Sequence, residues 1–136
     1  MAIDAERAVM SVYENESLTD HLTDKPATTL LKWCEAQVMA LLDKHTDKTA
    51  FEADFKILRR LTRALNTLAG VGMMMDLPKQ QIYATEIRDL ATQLGFTVTE
   101  VQITAYLARL PELDESDQIR ELIQTIDPPE MPTEFI

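Results

Sequence analysis

The apolar residues of this chain recur every three or four positions almost from end to end, a period that predicts helices and no strands. The β-branched residues do not alternate, and only three glycines punctuate the sequence. The pattern predicts a first helix over about residues 2–13, followed by an acidic, turn-like stretch at 14–24. There Ser17 and Asp20 are placed to cap one short helical turn. A second helix is expected from Asp24 and Pro26 to about His45, because proline is tolerated in a first turn whose N–H groups lack partners anyway. Its apolar stripe is Leu30, Leu31, Cys34, Val38, Leu41 and Leu42, with Trp33 at the edge.

The third helix is expected over about 49–74, opened by a capping box from Thr49 to Glu52. Phe51, Phe55, Ile57, Leu58, Leu61, Ala64, Leu65, Leu68, Ala69 and Val71 give it an apolar arc of about half its circumference, the mark of a central helix with several neighbours. Gly70 and Gly72 either weaken its last turns or allow a close crossing. Pro78 opens a fourth helix and Gly95 closes it, with Phe96 placed for the contact that follows a glycine cap. Thr97 and Glu100 form a capping box for a fifth helix ending at Leu110, and Asp114 caps a sixth that carries Ile119, Leu122, Ile123 and Ile126 on one face. The expected fold is all-α: a compact bundle of five or six helices, one domain over residues 1–126, and a proline-rich tail over 127–136.

Charge changes this picture at one place. The net charge is −10, yet it is unevenly spread: residues 1–24 carry −5, residues 25–76 carry +2, residues 77–110 balance, and residues 111–136 carry −7. Within the basic middle, Lys56, Arg59, Arg60 and Arg63 fall at i, i+3, i+4 and i+7, an arc of roughly 100° on a helix. Arginine forks match carboxylate and phosphate geometry, so this ladder is a candidate partner- or anion-binding face. The commoner role of such a ladder is a solvated face able to pair with acids of its own chain, and Asp114, Glu115, Asp117 and Glu121 supply them. Intramolecular pairing with an acidic terminal segment is the expectation.

Met73, Met74 and Met75 are a second candidate. Consecutive residues diverge on a helix, so all three cannot enter one core, and methionine suits adaptable interfaces. Met39, opposite the stripe of its helix, belongs with them as an interface candidate. Residues 87–109 have the look of a helix-turn-helix, but the second helix offers Thr99, Glu100, Gln102 and Thr104 with its only base, Arg109, at the far end. Glu100 would meet phosphate with like charge, and no binding to duplex DNA is expected.

Other chemistries lack parts. His21 and His45 are far apart in sequence, no metal-ligand spacing occurs, and Asp43, His45 and Asp47 read as helix-end capping; no metal or cofactor is expected. Cys34 lies on an apolar stripe, where cysteine behaves as a small hydrophobe. The serines at 11, 17 and 116 lie in no nucleophile elbow. A single cysteine precludes an internal disulfide, the start MAIDAERAV is no secretory signal, and no apolar run spans a bilayer, so a cytoplasmic chain with no membrane or nucleic-acid partner is expected. These features point to a non-enzymatic protein–protein interaction module, self-associating as a homodimer or other homo-oligomer. The alternatives are a helix-turn-helix regulator using 87–109, and an enzyme whose carboxylates converge only in three dimensions.

Overall fold

In the computed structural model, which describes residues 3–129, six α-helices and three 3-10 turns account for the regular structure and no strand occurs among the described residues. The helices are α1 (Ala5–Glu14), α2 (Asp24–Lys44), α3 (Lys48–Val71), α4 (Leu77–Gln93), α5 (Glu100–Arg109) and α6 (Glu115–Ile126). The chain is thus an all-α bundle around a long central helix, as its periodicity predicts. The tail expected at 127–136 falls largely outside the described residues.

Helix α3 is central because its apolar arc has three partners. It packs along α2, α4 and α6, and Leu58, Leu61, Leu65 and Leu68 are fully buried between them. Burying four such side chains contributes about 6–12 kcal/mol in gross hydrophobic free energy, before the cost of ordering the chain. Helix α2 runs antiparallel to α3: the thiol of Cys34 lies 3.4 Å from the Thr62 hydroxyl, while His45 at the end of α2 bonds Asp54 near the start of α3 at 2.7 Å. Helix α1 covers one side of α2, and α6 packs against its other neighbours on α2 and α3. Trp33, expected at the stripe's edge, is buried, and its indole N–H donates to Asp127 at 3.0 Å.

Helix ends are where the sequence reading needs correction. Helix α3 starts one residue early, because Asp47, and not Thr49, accepts the first-turn N–H, from Ala50 at 3.1 Å. A carboxylate caps this end at least as well as a hydroxyl. The same helix stops at Val71, and residues 72–74 tighten into a 3-10 turn. The box of α5 is Thr99 with Gln102, two residues later than the expected Thr97 with Glu100. The short 3-10 turn at Glu16–Leu18 has no side-chain cap; Ser17 instead donates to Asn15, and Asp20 accepts from Asn66. Gly95, by contrast, ends α4 in the expected way. With φ at +96° it lets Gly95 N–H reach the Thr92 carbonyl and Phe96 N–H reach the Ala91 carbonyl, both at 3.0 Å, which together make a Schellman motif. Phe96 then lands near Trp33, ring centroids 6.1 Å apart.

Gly70 proves to be a site of close approach. A Cβ there would lie 2.4 Å from the carbonyl oxygen of His21, so the 19–22 loop touches the α3 backbone itself. One turn earlier, buried Asn66 accepts from the His21 N–H at 3.0 Å and donates to Asp20 at 2.8 Å. Together they fasten the α1–α2 connection to the central helix.

Candidate functional site

Position along α3 sets the first wall of the site. Lys48, Phe51, Glu52, Phe55, Lys56 and Arg59 are spaced at i, i+3, i+4, i+7, i+8 and i+11 and share one helix face. Helix α1 and the two residues before it supply the facing wall with Ile3, Asp4, Arg7, Ala8 and Ser11. Between them runs an open cleft of about 590 Å³. Its floor is aromatic: Phe51 and Phe55 are buried, with ring centroids 5.4 Å apart.

The rim is cationic. Arg7, Lys48, Lys56 and Arg59 stand against Asp4 and Glu52, a net of +2 on a chain of −10. The two carboxylates are partly committed already. Asp4 caps α1 by accepting from the Arg7 backbone N–H at 3.1 Å, and Glu52 lies 3.9 Å from Lys48. Arg59 stacks over Phe55, its guanidinium carbon 4.9 Å from the ring centroid, an arrangement worth about 0.5–1 kcal/mol at an exposed site. The planar ion is thereby held at the edge of the aromatic floor. Arg7, Lys56 and Arg59 have no carboxylate within 4.0 Å among the described residues.

The structure therefore divides the ladder. Lys56 and Arg59 line the cleft, Arg60 turns toward α4 and reaches Glu86 at 4.0 Å, and Arg63 is exposed with no carboxylate within 4.0 Å among the described residues. The acids expected to neutralise it are used elsewhere. Glu121 holds Arg109 at 2.8 Å, Asp117 pairs with Arg120, Asp114 caps α6, and Glu115 accepts from the Thr23 N–H at 2.6 Å. Arg7 was missed from sequence as a site residue, and Phe51 and Phe55 read only as core. No signal along the chain places α1 beside the first turns of α3.

The methionines do not form one surface. Met73 and Met74 are exposed and Met75 half-buried at the turn after α3, whereas Met39 is exposed on α2. The antiparallel register set by Cys34–Thr62 and His45–Asp54 puts Met39 beside the first half of α3, on the order of 20 Å of helix from Met73.

Around residues 87–109, the outward face of α5 presents Glu100, Val101, Thr104, Ala105 and Ala108, and Val101 is 78% exposed. Arg88 lies 3.8 Å from Glu100, and Arg109 is engaged by Glu121. The face is apolar with one acid, which is poor chemistry for phosphate.

No cluster of three potential metal ligands occurs among the described residues, and no described helix is long and apolar enough to cross a membrane. Asp47 caps α3 and His45 bonds Asp54, so those residues act at the α2–α3 corner. Cys34 is fully buried, and that burial pushes its thiol pKa up, against smaller lowering effects of Thr62 and Arg59. In the cleft, Ser11 donates to the Ala8 carbonyl at 2.7 Å, so its hydroxyl is spent on the helix. The arrangement can hold a ligand with negative charge and apolar bulk. No protein-family model, curated protein or solved structure matches this chain.

Proposed function

We propose that the chain is a non-enzymatic helical protein–protein interaction module, able to self-associate, whose α1/α3 cleft receives an acidic segment carrying apolar side chains. The observation that carries this reading is the local reversal of charge over an aromatic floor. Arg7, Lys56 and Arg59 flank Phe51 and Phe55 in a protein that is otherwise strongly acidic. A purely anionic ligand would use the rim and leave the aromatic floor unmatched. A purely apolar one would leave the cations unmatched. An acidic peptide with aromatic or aliphatic residues uses both, through charge-assisted bonds to arginine and burial on the phenylalanines.

The cleft's position supports the reading as well. It lies between α3 and a helix whose Ala8 and Val12 are buried against the bundle, and the loop that follows that helix is fastened to α3 at Asn66 and Gly70. Such pre-organisation lowers the ordering cost of binding. The test is fluorescence anisotropy with a labelled peptide in which glutamate alternates with phenylalanine. Binding is expected to weaken as salt rises and to be lost in Lys56→Glu/Arg59→Glu. A peptide that binds the double variant as well as the native chain removes the cleft from consideration.

A further inference from the structure

The reading of the cleft as a peptide site leaves its occupant open, and the chain itself contains a segment of the required chemistry. We infer that residues 130–136 of a second copy, EMPTEFI, dock in the α1/α3 cleft, so that two copies associate by reciprocal exchange of this segment. The inference rests on the reading above and names the partner.

Complementarity is the first argument. The segment carries Glu130 and Glu134, no base, and the apolar residues Met131, Phe135 and Ile136. The cleft has the inverse: three cations without a described carboxylate partner around a floor of two phenylalanines. Phe135 follows Glu134 directly, so an aromatic ring and a carboxylate arrive together. Phe55 and Arg59 offer an edge-to-face partner and a cation in the same turn of α3.

The second argument concerns which copy supplies the segment. Asp127 is fixed on α2, where it accepts from Trp33 at 3.0 Å and Gln37 at 3.3 Å. Helix α2 packs against both α6 and α1, and Asp127 holds the start of the segment on α2. Pro128 and Pro129 follow at once, both exposed, and prolines favour an extended path with φ fixed near −65°. Such a start keeps its direction over several residues. It is well suited to projecting toward a neighbour. Two copies that each lend the segment to the other form a closed, two-fold arrangement in which every contact is made twice.

The experiment places p-benzoylphenylalanine at Phe135 in the full-length chain and mixes isotopically heavy and light copies before irradiation. Heavy–light products are expected, with the crosslink mapping to Ile3–Ser11 or Lys48–Arg59. Sedimentation equilibrium is expected to show a dimer whose dissociation constant rises at least about tenfold in Lys56→Glu/Arg59→Glu, the effect of four exposed ion pairs lost, two in each cleft. Adding Glu130→Lys/Glu134→Lys to that variant is expected to restore association. Crosslinks confined to one copy, or mapping away from the cleft, overturn the inference, as does failure of the charge swap to restore the dimer. The acidic-peptide assay separates the two claims. A cleft that binds that peptide without crosslinking to Phe135 retains its function and loses this occupant. A cleft that binds neither loses both.

Discussion

Cys34 shows how one residue reports its surroundings. Leu30, Val38 and Leu41 share its helix face and are buried with it, so the thiol is shut away from water and held neutral. It is expected to alkylate slowly without denaturant. The neutral thiol also ties stability to pH. The folded pKa lies above the ordinary 9.0, so the unfolded chain loses its proton first as pH rises. The folded state then binds more protons than the unfolded one, and stability falls with pH. This contribution is fully present below about pH 9 and fades above it. Tyr106 acts in the same direction, since burial pushes its phenol above the ordinary 10.0. Urea midpoints measured from pH 7 to pH 10 are expected to decline above pH 9, less steeply in Cys34→Ala. Equal slopes in the two proteins would show that the thiol ionises alike folded and unfolded. The burial of Cys34 was legible from its spacing. That of Asn66 was not, because its partners are a backbone N–H and a carboxylate 45 and 46 residues away.

Among the elements, α3 gives the clearest separation between what pattern shows and what geometry adds. Its apolar arc announces its length and centrality, while its first residue depends on which of two neighbouring polar side chains meets the exposed N–H groups. Asp47 does so, and Thr49 lies already inside the helix. Replacing Asp47 with alanine is expected to cost about 1 kcal/mol, and replacing Thr49 much less, by chemical denaturation. The reverse order would restore the Thr49–Glu52 box. Periodicity has a resolution of one turn, and capping is decided within a turn by hydrogen-bond geometry that several polar residues can satisfy. The same reason moved the α5 box from Thr97 to Thr99, whereas Gly95, with no rival able to take a positive φ at no steric cost, was placed correctly.

For the whole molecule, the ladder is where the proposed assembly and the stability of the fold can be told apart. Its expected internal partners on α6 are engaged elsewhere, and the described fold offers it only Glu86, at 4.0 Å from Arg60, with both side chains well exposed. Pairs of that kind contribute little. The Arg59→Glu/Arg60→Glu variant, melted at high dilution, is therefore expected to lose no more than about 5 °C. It is expected to lose association and peptide capture far more severely. A fall beyond about 10 °C would mean that the ladder holds the fold together, and that the cleft is part of the core's support.

The sequence by itself determined the helices, their apolar faces, the centrality of the third, the burial of Cys34 and the cationic face at Lys56, Arg59, Arg60 and Arg63. These are local properties, fixed by the 3.6-residue period and by charges counted along the chain. Only the tertiary structure decided that Arg7 joins Lys56 and Arg59 over Phe51 and Phe55, that Arg60 is turned to α4, and that Met39 stands apart from Met73 and Met74. Which helix lies beside which depends on fitting several apolar faces together at once. The Asn66 and Gly70 contacts with the 19–22 loop then tie the α1–α2 connection to α3, and no window of sequence short enough to show a period contains both sides of that contact.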